Sequence, residues 1–223
     1  MQSILFRNRI DAANKLAEKI LWPLKKEHIS SSIVVLSIPR GGVVIGDVVA
    51  AKLNTKLDIL VSRKIGAPDD PEFAIGAVMP DGTYFLNEND MVTFKVLQSF
   101  IEAEVNVQSK EIERRLMSFR GSKEYDNELK GKAVVLVDDG IATGATILSA
   151  IQWLKTKQNC QELIIAVPVA PNDTVDKLKQ IIGNNRVITL YSPEPFIAVG
   201  RFYEDFRQVS DGQDDNEKTW IQY

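Results

Sequence analysis

One cysteine and one histidine among 223 residues close off several chemistries at once. With Cys160 alone no intrachain disulfide can form, and a reducing compartment is the expectation. Cys160 follows Gln158-Asn159 with no partner signature beside it, so it reads as a structural thiol rather than a nucleophile. With His28 alone a multi-histidine metal site is excluded and a serine–histidine–acid triad is disfavoured. Within Lys-Lys-Glu-His it reads as a solvated side chain. A basic arm or stripe is missing too: the net charge is −3 and opposite charges are interspersed, which disfavours nucleic acid as a partner. No apolar run reaches the length of a membrane span, and the first twenty residues break their apolar positions with charges rather than building a signal-peptide core. A cytoplasmic protein with no membrane partner is the expectation. Low-complexity tracts and repeats are absent as well.

What is present is the composition of an ordinary globular chain, 44% hydrophobic and 26% charged. Ala13, Leu16, Ala17, Ile20, Leu21 and Leu24 recur at helical spacing and predict a helix over 10–26 that Pro23 ends or kinks. The continuous β-branched run 33–38 predicts a strand buried on both faces, as in a parallel sheet. A helix over 43–53 and a strand over 57–61 follow. Residues 63–87 are rich in turn formers, with two short alternating runs, 74–79 and 83–86, joined at Pro80-Asp81-Gly82 as a hairpin. A helical pattern then covers 88–119. Strands over 133–137, 163–167 and 187–190 alternate with helices over 144–157 and up to 182, the latter capped by Asn172 or Asp173. This alternation predicts an α/β fold, an open, mostly parallel sheet flanked by helices.

In such a sheet, ligands bind beyond the carboxyl ends of the strands. Beyond 133–137 stands Asp138-Asp139-Gly140-Ile141-Ala142-Thr143-Gly144-Ala145-Thr146, leading into a helix. Gly140 and Gly144 permit a sharp turn and close backbone approach. Amides at the helix start, with the hydroxyls of Thr143 and Thr146, form an anion cradle suited to a phosphate monoester. Hydrogen bonds to a charged phosphate contribute roughly 1.5–3 kcal/mol each, so a handful suffices for micromolar binding. Two carboxylates beside that cradle would repel the phosphate unless they serve something else, and vicinal ribose hydroxyls are the natural answer. A plain strand-to-helix connection would account for an isolated Asp-Asp or Thr-Gly. It accounts poorly for both together at the end of a buried strand. The Gly-Lys-Thr of a Walker A loop is missing.

This segment resembles the phosphoribosylpyrophosphate-binding motif of the type I phosphoribosyltransferases, and the resemblance extends over most of the chain. Pro39-Arg40-Gly41-Gly42, after the first strand, is similar to the family's pyrophosphate loop, in which backbone amides and a basic side chain hold the leaving group. That loop often carries a cis peptide in the family, which the glycine beside Arg40 suits. Ser62-Arg63-Lys64-Ile65-Gly66-Ala67-Pro68, Glu72-Phe73-Ala74-Ile75-Gly76-Ala77-Val78, Pro193-Glu194-Pro195-Phe196 and Tyr203-Glu204-Asp205-Phe206 resemble an uncharacterised branch, the predicted phosphoribosyltransferases. The resemblance implies one domain over 1–223, a flexible-loop, hairpin and helical insertion over 63–120, and a C-terminal hood or tail over 191–223. Arg63 and Lys64 are implied pyrophosphate contacts, although Lys64 reads almost as well as a solvated loop residue. The C-terminal stretch is similar in outline to the 6-oxopurine members. Phe196 is thereby implied to stack on a base, Val199-Gly200 follows, and Arg207 is implied to reach pyrophosphate, at a shorter spacing than in the family. Phe196 reads equally well as core. Two positions depart from that pattern. Ala142 stands where 6-oxopurine enzymes carry an acid, as it also does in adenine-type members, and Pro168 replaces the lysine that reads the purine oxygen.

The implied reaction is displacement of pyrophosphate from C1 of the ribose by a nitrogen nucleophile, with Asp138 and Asp139 orienting the sugar and no general base named. Mg²⁺ is the implied cofactor, with no protein residue expected to ligate it directly. The implied partners are phosphoribosylpyrophosphate and a nucleobase-like acceptor whose identity stays open, as does homo-oligomerisation. A non-enzymatic regulator binding the same ligand and a hydrolase of a phosphoribosyl compound are the alternatives.

Overall fold

The computed structural model describes residues 4–26, 32–125 and 129–209. In chain order the elements are α1 (Arg9–Lys26), β1 (Ile33–Ser37), α2 (Gly41–Leu53), β2 (Lys56–Ile59), β3 (Arg63–Ala67), β4 (Asp70–Val78), β5 (Tyr84–Leu86), α3 (Glu88–Thr93), α4 (Gln98–Arg120), β6 (Ala133–Val137), α5 (Ala145–Thr156), β7 (Glu162–Val169), α6 (Asn172–Ile182) and β8 (Val187–Tyr191). Contacts group them into two units, one of residues 1–59, 129–143 and 160–223, the other of residues 60–128 and 144–159.

The first unit holds a five-stranded parallel sheet in the order β2-β1-β6-β7-β8. Of its central strands β6 is fully apolar and β1 is apolar up to a buried Ser37, as expected when both faces are covered. α1 lies along α2 and also packs on β7 and β8. The helical spacing read from the sequence is the packing face: Ala13, Leu16, Ala17, Ile20 and Leu24 join Ile45, Val49, Val35, Val135, Ile164 and Ile188 in one core. α1 runs on past Pro23 to Lys26 instead of ending there.

The second unit is a three-stranded antiparallel sheet, β3-β4-β5, with α3, α4 and α5. β4 and β5 form the expected hairpin. β3 was hidden by the turn formers around it. Its pairing with β4 shifts register at Gly66, where an added Cβ would lie 2.5 Å from the Pro71 carbonyl oxygen. The glycine therefore marks a close strand approach at a bulge rather than a turn. The helix expected over 88–119 is two helices. Asn87 caps the first, its side chain accepting from the Asn89 amide at 3.1 Å, and Lys95 at φ 48° separates them. α5, expected as a cover for the parallel sheet, packs on β4 and β5. α6 begins after Pro171, so neither Asn172 nor Asp173 is its cap. Instead the Asn172 amide donates to Glu194 Oε1 at 2.7 Å.

Among the described residues no helix is long and apolar enough to cross a membrane. His28 and residues 210–223 of the expected hood or tail lie outside the described residues.

Candidate active site

Sheet order locates a crevice before any side chain is considered. β1 leads to β2 on one side while β6 leads to β7 on the other, so the chain diverges between the adjacent strands β1 and β6. Ligands bind at such switch points. The register is in step: Ser37 pairs with Val137, and the Ile38 amide adds one more bond to the Val137 carbonyl at 3.1 Å. Pro39-Arg40-Gly41-Gly42 and Asp138-Asp139 thus leave the sheet side by side. The Pro39–Arg40 peptide is cis, one bond earlier than the Arg-Gly pairing pointed to.

The glycines of the turn lie against the acids. A Cβ on Gly41 would stand 1.8 Å from Asp139 Oδ2, and one on Gly42 would stand 3.0 Å from both Cα and Oδ1 of Asp138. Arg40, half-buried, is the residue before α2. Asp139 is bound on two sides. Arg9 Nε donates to its Oδ2 at 2.8 Å, and the Tyr203 hydroxyl donates to its backbone carbonyl at 2.6 Å. Asp138 Oδ1 accepts from the Asp139 amide at 2.7 Å, and among the described residues no cation pairs with Asp138.

Burial pushes Asp138 well above the usual carboxylate range, and the neighbouring Asp139 charge pushes it further. Burial raises Asp139 too, while the Arg9 guanidinium pulls it back. Burial likewise lifts the Tyr203 phenol far above its ordinary value, which keeps it a donor.

From the acid pair the chain passes through Gly140, Ile141, Ala142 and Thr143. Ile141 is buried and its amide donates to the Val169 carbonyl at 2.9 Å, tying the loop to the end of β7. Gly140 meets Val199, whose Cγ1 would lie 2.5 Å from an added Cβ. Gly144, at φ 79°, precedes α5, and no side chain caps that helix among the described residues. The first-turn amides of α5, at Ala145 and Thr146, therefore have no intrahelical acceptor.

Residues 2–187 match the family described as phosphoribosyl transferase domain. The chain belongs to that family. It is 36% identical over 209 residues to a Mycobacterium tuberculosis protein whose name assigns it provisionally to the phosphoribosyl transferases. The match covers 94% of this chain and 45% of that relative, so the chain spans about half the length of the curated protein it resembles. TT1426 of Thermus thermophilus, known from a crystal structure, is 38% identical, with a TM-score of 0.75 over 93% of this chain and 94% of that one.

Within this phosphoribosyl transferase domain the remaining candidates divide. Arg63 and Lys64 are on β3 in the second unit, where they line a shallow groove with Phe100, Glu104 and Gln108. Arg63 Nε donates to Gln108 Oε1 at 2.9 Å. Arg207 is 89% exposed and paired with Asp205 at 2.7 Å; only its backbone carbonyl enters the site, accepting from Arg9. Phe196 is half-buried, its ring 5.0 Å from that of Phe202 and packed on the core. Pro168 is inside β7 rather than after it, and the residues that follow the strand, Ala170 and Pro171, supply no lysine either. Ala142 is exposed. Sequence reading missed Arg9 altogether and quoted Tyr203 without a role. Neither could be linked to Asp139 from its spacing, since Arg9 lies 130 residues away.

Proposed function

We infer that the chain transfers a phosphoribosyl group from 5-phosphoribosyl-1-pyrophosphate, with Mg²⁺, to a nitrogen atom of a nucleobase-like acceptor and releases pyrophosphate. The observation that carries this reading is the meeting of two loops at the switch point, the glycines of 39–42 packed against the carboxylates of Asp138 and Asp139. A glycine pair at a helix start gives close backbone approach and free amides for an anionic leaving group. A pair of acids beside it has little use for the anion itself and suits the ribose hydroxyls.

In this reading the acids accept from the sugar hydroxyls and hold C1 facing the acceptor. The 143–146 stretch grips the 5′-phosphate, and the 39–42 turn, with Arg40, receives the pyrophosphate. The acceptor nitrogen forms its bond to C1 as the C1–oxygen bond to pyrophosphate breaks, and the electron pair leaves with pyrophosphate. Positioning and stabilisation of that departing charge supply most of the rate. No side chain of the chain is assigned to Mg²⁺, which would be held by the donor and would supply partial neutralisation of the same charge. The chain acts in the cytoplasm, as a nucleotide-salvage enzyme would.

The test is pyrophosphate release from the donor against a panel of purine, pyrimidine and other nitrogen heterocycles. Release that depends on one acceptor supports the transfer. Tight donor binding with no release under any acceptor would leave a regulator, and release at the same rate with none would leave a hydrolase.

A further inference from the structure

Arg9 opens α1 and is engaged on three sides. Its Nε donates to Asp139 Oδ2 at 2.8 Å, its Nη1 donates to the Arg207 carbonyl at 2.9 Å, and its guanidinium lies 3.8 Å from the centroid of the Phe206 ring. Only 11% of the side chain is exposed, against 15% for Asp139. An exposed ion pair contributes little, but removing one partner of a largely enclosed pair leaves a charge that water compensates only in part. Asp139 is held a second time through its carbonyl by Tyr203, and Gly41 closes on the same carboxylate oxygen that Arg9 binds. Asp138 meets Gly42 and the Asp139 amide but, among the described residues, has no cation bonded to it. Two acids share one arginine, and that arginine is bonded to one of them.

We propose that Arg9 is a positioning residue for the acid pair: it holds the Asp139 carboxylate in place against Gly41 and leaves Asp138 as the acid turned over to a ribose hydroxyl. This rests on the reading of the site as a phosphoribosylpyrophosphate site. The groups around the pair are Arg9 from α1, Tyr203 and beyond it Asp205 from the C-terminal segment, and Arg40 with Gly41 and Gly42 from the start of α2. Of these, Arg9 is the cation bonded to Asp139. It offsets part of the burial that raises Asp139, whereas for Asp138 burial and the charge of Asp139 act in the same upward direction. A diol that donates its hydroxyl hydrogens to the pair favours the ionised form, and Arg9 is the cation that supports that form.

The test uses Arg9→Gln and Arg9→Lys with the magnesium complex of 5-phosphoribosyl-1-pyrophosphate as probe. Calorimetry between about pH 6 and 9 gives affinity, and carboxyl-carbon NMR titration follows both acids in the ligand-free proteins. In the wild type, Asp139 should titrate below Asp138. Arg9→Gln should weaken binding by about tenfold or more and move the rise of affinity with pH to higher pH, and Arg9→Lys should recover much of both. Weaker binding at every pH with an unmoved profile would reduce Arg9 to a packing residue and overturn the proposal, as would unchanged affinity. Should Arg9→Gln fail to fold, the wild-type carboxyl titration and Arg9→Lys decide, and Asp139 titrating above Asp138 refutes the assignment. If the wild type does not bind the probe, the functional reading falls, while the carboxyl titrations still decide the role of Arg9.

Discussion

Gly41 approaches Asp139 so closely that a Cβ at position 41 would stand 1.8 Å from the carboxylate Oδ2 and 2.8 Å from Arg9 Nε. Two opposing effects meet at this residue. Alanine is the better helix former by up to about 1 kcal/mol, which on propensity alone would stabilise α2 in Gly41→Ala. The added methyl instead displaces a carboxylate that is clamped by an arginine, and overpacking of this kind costs about 1–3 kcal/mol. The clash should win. We predict that Gly41→Ala lowers the melting temperature and weakens binding of the pyrophosphate donor by about tenfold or more. A variant that melts higher than wild type and binds equally well would show that the turn does not bear on the acid pair.

The same pair sets a conflict between stability and function. Asp138 has its folded pKa raised above the ordinary carboxylate value, by burial first and then by Asp139. Such a group contributes stability that is fully present below its unfolded pKa and is lost as pH rises through its folded pKa. Above that raised value the native state therefore bears the unfavourable charge. Asp138→Asn keeps the acceptor for the Asp139 amide and removes that charge. The variant should melt above wild type by on the order of 2–4 °C near pH 8, with the gain shrinking as pH falls towards the ordinary carboxylate range, while donor binding is lost. Melts at several pH values check this, and a variant less stable than wild type at pH 8 contradicts it.

The parallel sheet and its two loops were legible because each rests on local pattern. Ala133–Val137 is a continuous apolar run, and the acids and glycines that follow it are contiguous. Two kinds of feature were not legible. Gly66 and Pro71 looked like turn formers, because sequence alone does not distinguish a glycine that turns the chain from one that lets two strands touch. Arg9 sits in an ordinary amphipathic helix start, where a basic residue reads as solvated. Its partner became visible only once residues 5 and 6 were seen to bond the Phe202 carbonyl and Glu204 to bond back to Phe6. Those bonds bring the start of the chain against the segment carrying Tyr203 and Phe206.

Tyr203 makes a separable contribution. Its hydroxyl donates at 2.6 Å to the Asp139 carbonyl, in a setting where burial holds the phenol protonated. Tyr203→Phe keeps the ring against Phe6 and Phe206 but orphans that carbonyl. An unsatisfied buried acceptor costs about 1–3 kcal/mol, so the melting temperature should fall by several degrees and donor affinity should fall with it. Because the phenol does not titrate in the working range, the wild-type-to-variant difference should stay flat between about pH 6 and 9. A difference that varies strongly with pH would mean the hydroxyl acts through something other than this bond.

Acceptor choice can be argued from the donors available beyond β7. Reading a 6-oxo group requires a hydrogen-bond donor, and a site without one gains nothing from the carbonyl. The Ala170 amide already donates to the Tyr191 carbonyl at 3.3 Å, and Pro171 has no N–H. The Asn172 side-chain amide gives one of its two N–H groups to Glu194 at 2.7 Å. No lysine stands in this stretch. With no lysine there, hypoxanthine and guanine should give less pyrophosphate release than the best acceptor of the panel, in an assay where donor binding is intact. Turnover of either base at a rate comparable to any other acceptor in the panel would show that a donor reaches the 6-position from elsewhere, and the segment 170–172 would then have no part in base selection.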